Sequence, residues 1–197
     1  METVTGSMEG SRMNTKKTGN PKYPLEATLD DGTKLIIPRQ SQFDNEWLRK
    51  HGCSLMAEYI ALQFLGVTHM AVHGRLVKVW PLYLHEWHKV KTPEDIFAKV
   101  TVKGVSKGID ILGKGKGTAD YITTPTEERI QAAIDAGYVV ILEQGDPIHT
   151  VTLLPDKKGI YVANAGTVRR TTAKAKAKKA TTSKRYRGMV IVKRSEK

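Results

Sequence analysis

The feature that most restricts the fold is the order of the apolar patterns along the chain. Apolar residues with helical spacing come first, and strand-like apolar runs come later. In the segment 53–65, Leu55, Tyr59 and Ile60 recur at the spacing of one buried helix face. The last third instead holds short runs rich in Val and Ile, at 138–142, 149–154, 159–163 and 188–192. Helices that precede strands, and do not alternate with them, predict an α+β fold with the helices packed on an antiparallel sheet.

Weaker signals assign the remaining segments. Residues 33–38 indicate a short strand that a proline ends, and residues 67–91, with two tryptophans and several histidines, are predicted to be helical. A threonine followed by a proline and acidic residues is typical of a helix N-terminus. This pattern predicts one helix over about 92–112 and another over about 124–137.

The size and the cysteine content limit the class of protein. The chain has 197 residues, enough for one domain, which we place at 21–197 after a flexible arm or expression remnant at 1–20. A single cysteine excludes an intramolecular disulfide and a Cys-rich zinc site. No apolar run approaches the ~18–20 residues of a membrane span, and no secretory signal is visible, which favours the cytoplasm.

The net charge of +12 is concentrated in one segment, at 168–187, which has no acidic residue. A solvated basic surface is the simplest interpretation of such a run, and weak binding of a polyanion such as nucleic acid is the alternative. The cationic residues of this segment are Arg169, Arg170, Lys174, Lys176, Lys178, Lys179, Lys184, Arg185 and Arg187.

Cys53 stands at the predicted start of the helix 53–65. The N–H groups at a helix N-terminus are unpaired, and the helix dipole is positive there, so a thiol at this position has a lowered pKa. Far downstream, His149 opens an apolar run and Asn164 closes the next one. A cysteine with a distant His and Asn suggests a nucleophile, its base and the group that orients the base.

The hairpin between these two runs suggests how His149 and Asn164 meet. A four-residue loop at 155–158 would pair Leu154 with Gly159 and therefore His149 with Asn164. A tetrahedral intermediate at Cys53 would also need hydrogen-bond donors for its oxyanion. The Cys53 backbone N–H is one donor, and the side-chain amide of Gln42 or Gln40 would be the other.

These residues together resemble the papain-like cysteine peptidases, and within them the small bacterial branch that includes the double-glycine (bacteriocin leader) peptidases. The resemblance covers about residues 35–195, with a poorly matched middle at 67–120. The matching pieces, in chain order, are Pro38, Gln42, Gly52-Cys53, Ala57, Ile130 to Leu142, Ile148 to Val151, Val162 to Asn164, and Gly188 to Val192.

The resemblance implies a papain-like fold with a Cys53, His149 and Asn164 triad and with Gln42 in the oxyanion hole. It implies hydrolysis of a peptide or other amide through a thioester, without a metal or cofactor. Two residues depart from the branch: Ser54 stands where Gly is commoner, and Asn164 stands where Asp is usual.

Two other functions fit the same pattern. One is a papain-like scaffold without catalysis that binds polyanions through its basic segment, and the other is an acyltransferase or amidase. The pairs His69/His73 and His85/His88 have spacings that could bind zinc on a helix, although an amphipathic helix surface is the simpler interpretation.

Overall fold

A computed structural model of the chain describes residues 25–29, 31–96, 100–144, 149–156, 159–164, 167–171 and 186–195. The predicted arm at 1–20 and most of the basic segment lie outside these residues. The helices are α1 (Glu46–His51), α2 (Cys53–Phe64), α3 (Pro81–Lys91), α4 (Val102–Leu112) and α5 (Glu127–Asp135). The strands are β1 (Leu25–Thr28), β2 (Lys34–Ile37), β3 (His69–Val72), β4 (Arg75–Lys78), β5 (Gly117–Ile122), β6 (Val139–Gln144), β7 (His149–Asp156), β8 (Gly159–Asn164), β9 (Thr167–Thr171) and β10 (Tyr186–Arg194).

Six strands of the described residues form one antiparallel sheet in the order β5-β10-β6-β7-β8-β9. Side chains alternate between its two faces, so each strand contributes to two apolar layers. Val139 and Ile141 pack in the layer that contains α2, whereas Val140 and Leu142 pack with Ile130 of α5. Helices therefore cover both faces, which confirms the α+β class.

The central helix α2 is buried on nearly every side, as expected for a helix that is apolar all round. Gln63 is its only half-buried member, and it satisfies the backbone of β2. Its side chain accepts a hydrogen bond from the Ile36 N–H at 2.9 Å and donates to the Ile36 carbonyl at 2.9 Å. Gly66 follows the helix at φ 71°, a left-handed conformation that glycine adopts without strain.

The prediction of a helix at 67–91 is wrong for the first half of this segment, which forms a β-hairpin. Met70 and Val72 of β3 are buried while their neighbours are exposed, the period-2 pattern of a strand. His73 and Gly74, both at positive φ, form the turn to β4. Only α3 is helical, and it begins with Pro81 in its first turn.

The prediction of a single helix over 92–112 is also wrong, because this segment contains a short turn and a separate helix. Pro93–Asp95 forms one 3-10 turn, and an isolated bridge between Ile96 and Val100 follows. The helix α4 starts only after Thr101, whose side chain accepts a hydrogen bond from the Gly104 N–H at 3.0 Å. The threonine-proline-acid pattern therefore marks a turn here, whereas at α5 it marks a true helix start with Thr126 as the N-cap.

Among the described residues, no helix has both the length and the apolar character needed to cross a membrane.

Candidate active site

Cys53 is the first residue of α2, as the sequence predicts, and Gly52 makes this position possible. The glycine joins α1 to α2, and its N–H donates to the Leu48 carbonyl at 2.9 Å. A Cβ at Gly52 would lie 2.5 Å from that carbonyl oxygen, so a larger residue would disturb the backbone where α1 ends and α2 begins. The cysteine side chain is 6% exposed, at the positive end of the helix dipole.

The thiol of Cys53 contacts the sheet at β7. Its Sγ lies 3.8 Å from Oγ1 of Thr150, a hydroxyl that is buried on the α2 side of the sheet. Thr150 directly follows His149 in the chain. The structure therefore brings the nucleophile candidate to the start of the strand that carries the base candidate.

The alternation along β7 gives His149 a position that the sequence did not predict. Leu154 packs in the layer that contains α2, and Thr150 lies on the same side of the strand. Val151 and Leu153 lie on the other side and pack against α5. His149 has the same parity as Val151 and Leu153, so strict alternation assigns its position to the α5 side. It is the first residue of β7, and it pairs with Gln144 of β6.

The predicted cross-strand pair of His149 and Asn164 is wrong. The ladder between β7 and β8 pairs Pro155 with Ile160 and Asp156 with Gly159, so it continues through residues that were expected to form the loop. This shifts the register by two residues and, on continuation of the ladder, places position 164 opposite Val151. A shift of two keeps positions 149 and 164 on the same face as diagonal neighbours, about 7–8 Å apart. The side chain of Asn164 lies outside the described part of the structure.

The two glutamines before α1 have different roles. The side chain of Gln40 donates from Nε2 to the Arg49 carbonyl at 3.0 Å, so it ties the 3-10 turn Gln40–Gln42 to α1. Gln42 instead accepts at Oε1 from the Arg39 N–H at 3.2 Å, and it is exposed. Because its carbonyl end is held by Arg39, the amino group of Gln42 is the end directed away from that contact.

Sequence reasoning missed two polar residues of the sheet, Glu143 beside Thr150 and Tyr121 within electrostatic reach of Glu143. Glu143 is the β6 residue opposite Thr150, and it is half-buried. Burial raises the pKa of Tyr121, and the negative charge of Glu143 acts in the same direction. The only sequence signal for Glu143 was an acidic residue at the end of the apolar run 138–142.

A second polar cluster, also missed, is buried beneath α2. His88 of α3 lies with Nε2 2.7 Å from Glu58 Oε2 and with Nδ1 2.6 Å from Thr92 Oγ1. The side chains of Glu58 and His88 are fully buried. Burial raises the pKa of Glu58, and the neighbouring His88 acts in the opposite direction. A charged residue in the middle of an apolar helix was the signal that could have indicated a buried partner.

The histidine pairs do not form the helical zinc sites that their spacings allow. His69 lies in a strand and His73 in the turn after it. His85 stacks on Trp47, with ring centroids 3.9 Å apart. Burial lowers the pKa of His85, with a further contribution from Lys89. Among the described residues, no group of three His, Cys, Asp or Glu side chains is arranged to hold a metal ion.

Of the predicted anion-binding residues, only Arg187 has a described side chain, and it is exposed on β10. The backbones of Arg169 and Arg170 pair with Val162 and Tyr161 in the sheet. The side chains of these two arginines lie outside the described part, as do Lys174, Lys176, Lys178, Lys179, Lys184 and Arg185.

No family model and no curated protein matches this chain. The structure is similar to a crystal structure described as that of a C39-like peptidase from Bacillus anthracis, with 14% sequence identity and a TM-score of 0.48. The similarity covers 81% of this chain and 96% of that chain.

Proposed function

We propose that this protein is a papain-like cysteine amide hydrolase, with Cys53 as the nucleophile and a peptide as the first substrate class to test. One observation carries the proposal: the only thiol of the chain is the first residue of α2, and it contacts β7 one residue from His149. A helix N-terminus favours the thiolate, which is the nucleophilic form. The peptides that fit the sequence resemblance best carry a double-glycine cleavage site.

The reaction would proceed in two steps. The Cys53 thiolate attacks the amide carbonyl carbon, and the oxyanion that forms accepts hydrogen bonds from the Cys53 backbone N–H and from the Gln42 amino group. Protonated His149 gives its proton to the amide nitrogen, so the amine leaves and a thioester remains. Water then attacks the thioester, His149 takes the water proton, and the acid and the thiolate are released. Asn164 would hold the imidazole in the orientation that both transfers need.

This role requires the His149 imidazole to reach the α2 side of the sheet, although strict alternation assigns position 149 to the α5 side. That alternation favours a second candidate, a papain-like scaffold without turnover, which would bind polyanions through the segment 168–187. The first candidate depends on His149 being the first residue of β7, since a side chain at a strand start can turn around the end of the sheet. The two candidates differ in whether His149 affects the reactivity of Cys53.

An electrophilic peptide probe separates the two candidates, because a single cysteine can give only one thiol adduct. We expect the intact mass of the wild type to show rapid modification, Cys53→Ser to show none, and His149→Ala to react at least tenfold more slowly. His69→Ala, at an exposed histidine of β3, is the matched control and should react like the wild type. Equal rates for wild type, His149→Ala and a short unstructured peptide that carries one cysteine would contradict the hydrolase and support the scaffold.

A further inference from the structure

The buried contact between Cys53 and Thr150 concerns a residue that neither the sequence pattern nor the proposed triad includes. Sγ and Oγ1 lie 3.8 Å apart, and Thr150 is 2% exposed. The contact joins the N-terminus of α2 to β7, two elements that pack directly on each other. Cys53 is buried as well, so the contact is shielded from water.

We propose that Thr150 is a positioning residue for the Cys53 nucleophile, which holds the sulfur against β7 and stabilises its thiolate by donating the hydroxyl hydrogen. The inference rests on the proposed function, because it concerns the same nucleophile. In the thiol state the S–H group donates to Oγ1. After ionisation the threonine hydroxyl turns, and its hydrogen donates to the sulfur.

Threonine suits this role for two reasons. Its β-branched side chain is stiff at χ1, so the hydroxyl stays directed at the helix N-terminus. A hydrogen bond donated to a thiolate lowers the pKa of the thiol, and at Cys53 this effect adds to that of the helix dipole. Serine would keep the hydroxyl but not the stiffness, and valine would keep the shape but not the hydroxyl.

Two titratable groups lie next to this contact on the sheet, and of these Glu143 is the one that strand alternation places on the same face as Thr150. Glu143 lies opposite Thr150 on β6, and a carboxylate there disfavours a second negative charge on the sulfur. His149 precedes Thr150 on β7, and an imidazolium favours that charge. The Thr150 hydroxyl carries no charge, so its contribution does not depend on the charge of these two side chains.

The test is the pH dependence of iodoacetamide labelling of Cys53 in Thr150→Val, Thr150→Ser and wild type. Removal of one hydrogen bond to a charged group is expected to raise the apparent thiol pKa by about 1, so labelling well below that pKa slows about tenfold in Thr150→Val. Thr150→Ser should stay within about threefold of wild type. Thr152→Val, the same change two residues along the same face of β7, is the control and should leave the profile unchanged.

Thermal melts show whether each variant is folded, and if Thr150→Val is not, the comparison of Thr150→Ser with Thr150→Ala isolates the hydroxyl instead. Overlapping profiles for Thr150→Val and wild type would overturn the role of Thr150, as would an equal displacement in Thr152→Val. A wild-type pKa near 8.5 would contradict the nucleophile itself, which is a separate failure. Even in that case, the difference in apparent thiol pKa between Thr150→Val and wild type decides the role of Thr150.

Discussion

Substitution of Gly108 by alanine tests the buried cluster beneath the nucleophile helix. Gly108 lies inside α4 and faces α2. A Cβ at this position would lie 2.1 Å from Glu58 Oε1 and 3.0 Å from His88 Cε1. The Glu58 carboxylate is fully buried and bonded to His88 at 2.7 Å, so it cannot move away without loss of that pair.

Two effects of opposite sign decide the result of Gly108→Ala. Alanine is a better helix former than glycine by about 0.8–1.0 kcal/mol, which would stabilise α4. Disruption of a buried ion pair costs about 3–5 kcal/mol when one partner loses the other. The steric effect is larger, so we expect the free energy of unfolding to fall by about 2–4 kcal/mol. For a domain of this size the melting temperature should drop by roughly 5–15 °C.

Urea denaturation followed by circular dichroism measures this change, and a double-mutant cycle isolates its cause. In the Glu58→Ala background the close carboxylate is gone, so the added methyl group should cost much less than in the wild type. Lys103→Ala, at an exposed position of α4, is the control and should stay within about 0.5 kcal/mol of wild type. If Gly108→Ala is as stable as wild type or more stable, the steric argument is refuted.

Four further predictions concern other parts of the molecule. Burial would raise the pKa of Asp31, but hydrogen bonds from Thr33 and Arg194 outweigh it and lower this pKa to about 2. The charged Asp31 side chain therefore stabilises the fold above about pH 4, and this contribution is lost as the pH falls toward 2. In thermal melts, Asp31→Asn should be less stable than wild type at pH 7, and the difference should shrink on acidification. Gln42→Ala should lower kcat by roughly 10²–10³ on a cleaved peptide. Gln40→Ala should leave kcat nearly unchanged and cost about 1 kcal/mol of stability in urea denaturation. Heparin binding through the segment 168–187 should weaken steeply between low and high salt, and retention that does not change with salt would contradict an electrostatic contact.

The elements that sequence reasoning found are those whose signal is local. The helix α2 follows from apolar spacing and Gly66, and the strand β6 from its apolar run. The hairpin of β3 and β4 was missed because its buried positions are few, and because the segment also contains the aromatic residues of α3. Histidine and glycine in the turn at 73–74 were its only strong signal.

Long-range features of the candidate site could not be derived in the same way. The register of β7 and β8 depends on where the turn begins, and Pro155 looks like a turn residue although it pairs with Ile160. The pair of Glu58 and His88 joins residues 30 positions apart, which no periodicity encodes. The contact of Cys53 with Thr150 depends on how α2 lies across the sheet, so the sequence indicated the nucleophile without its neighbour.

Direct titration of Cys53 is the measurement closest to the central claim, that this thiol is a nucleophile activated by the helix N-terminus and His149. Cysteine labelled with ¹³C at Cβ gives one signal in this chain, and its shift can be followed against pH in wild type and His149→Ala. We predict a wild-type pKa within about 3.5–7.5 and a rise toward about 8.5 in His149→Ala. A pKa at or above about 8.5 that is identical in both proteins would contradict the account.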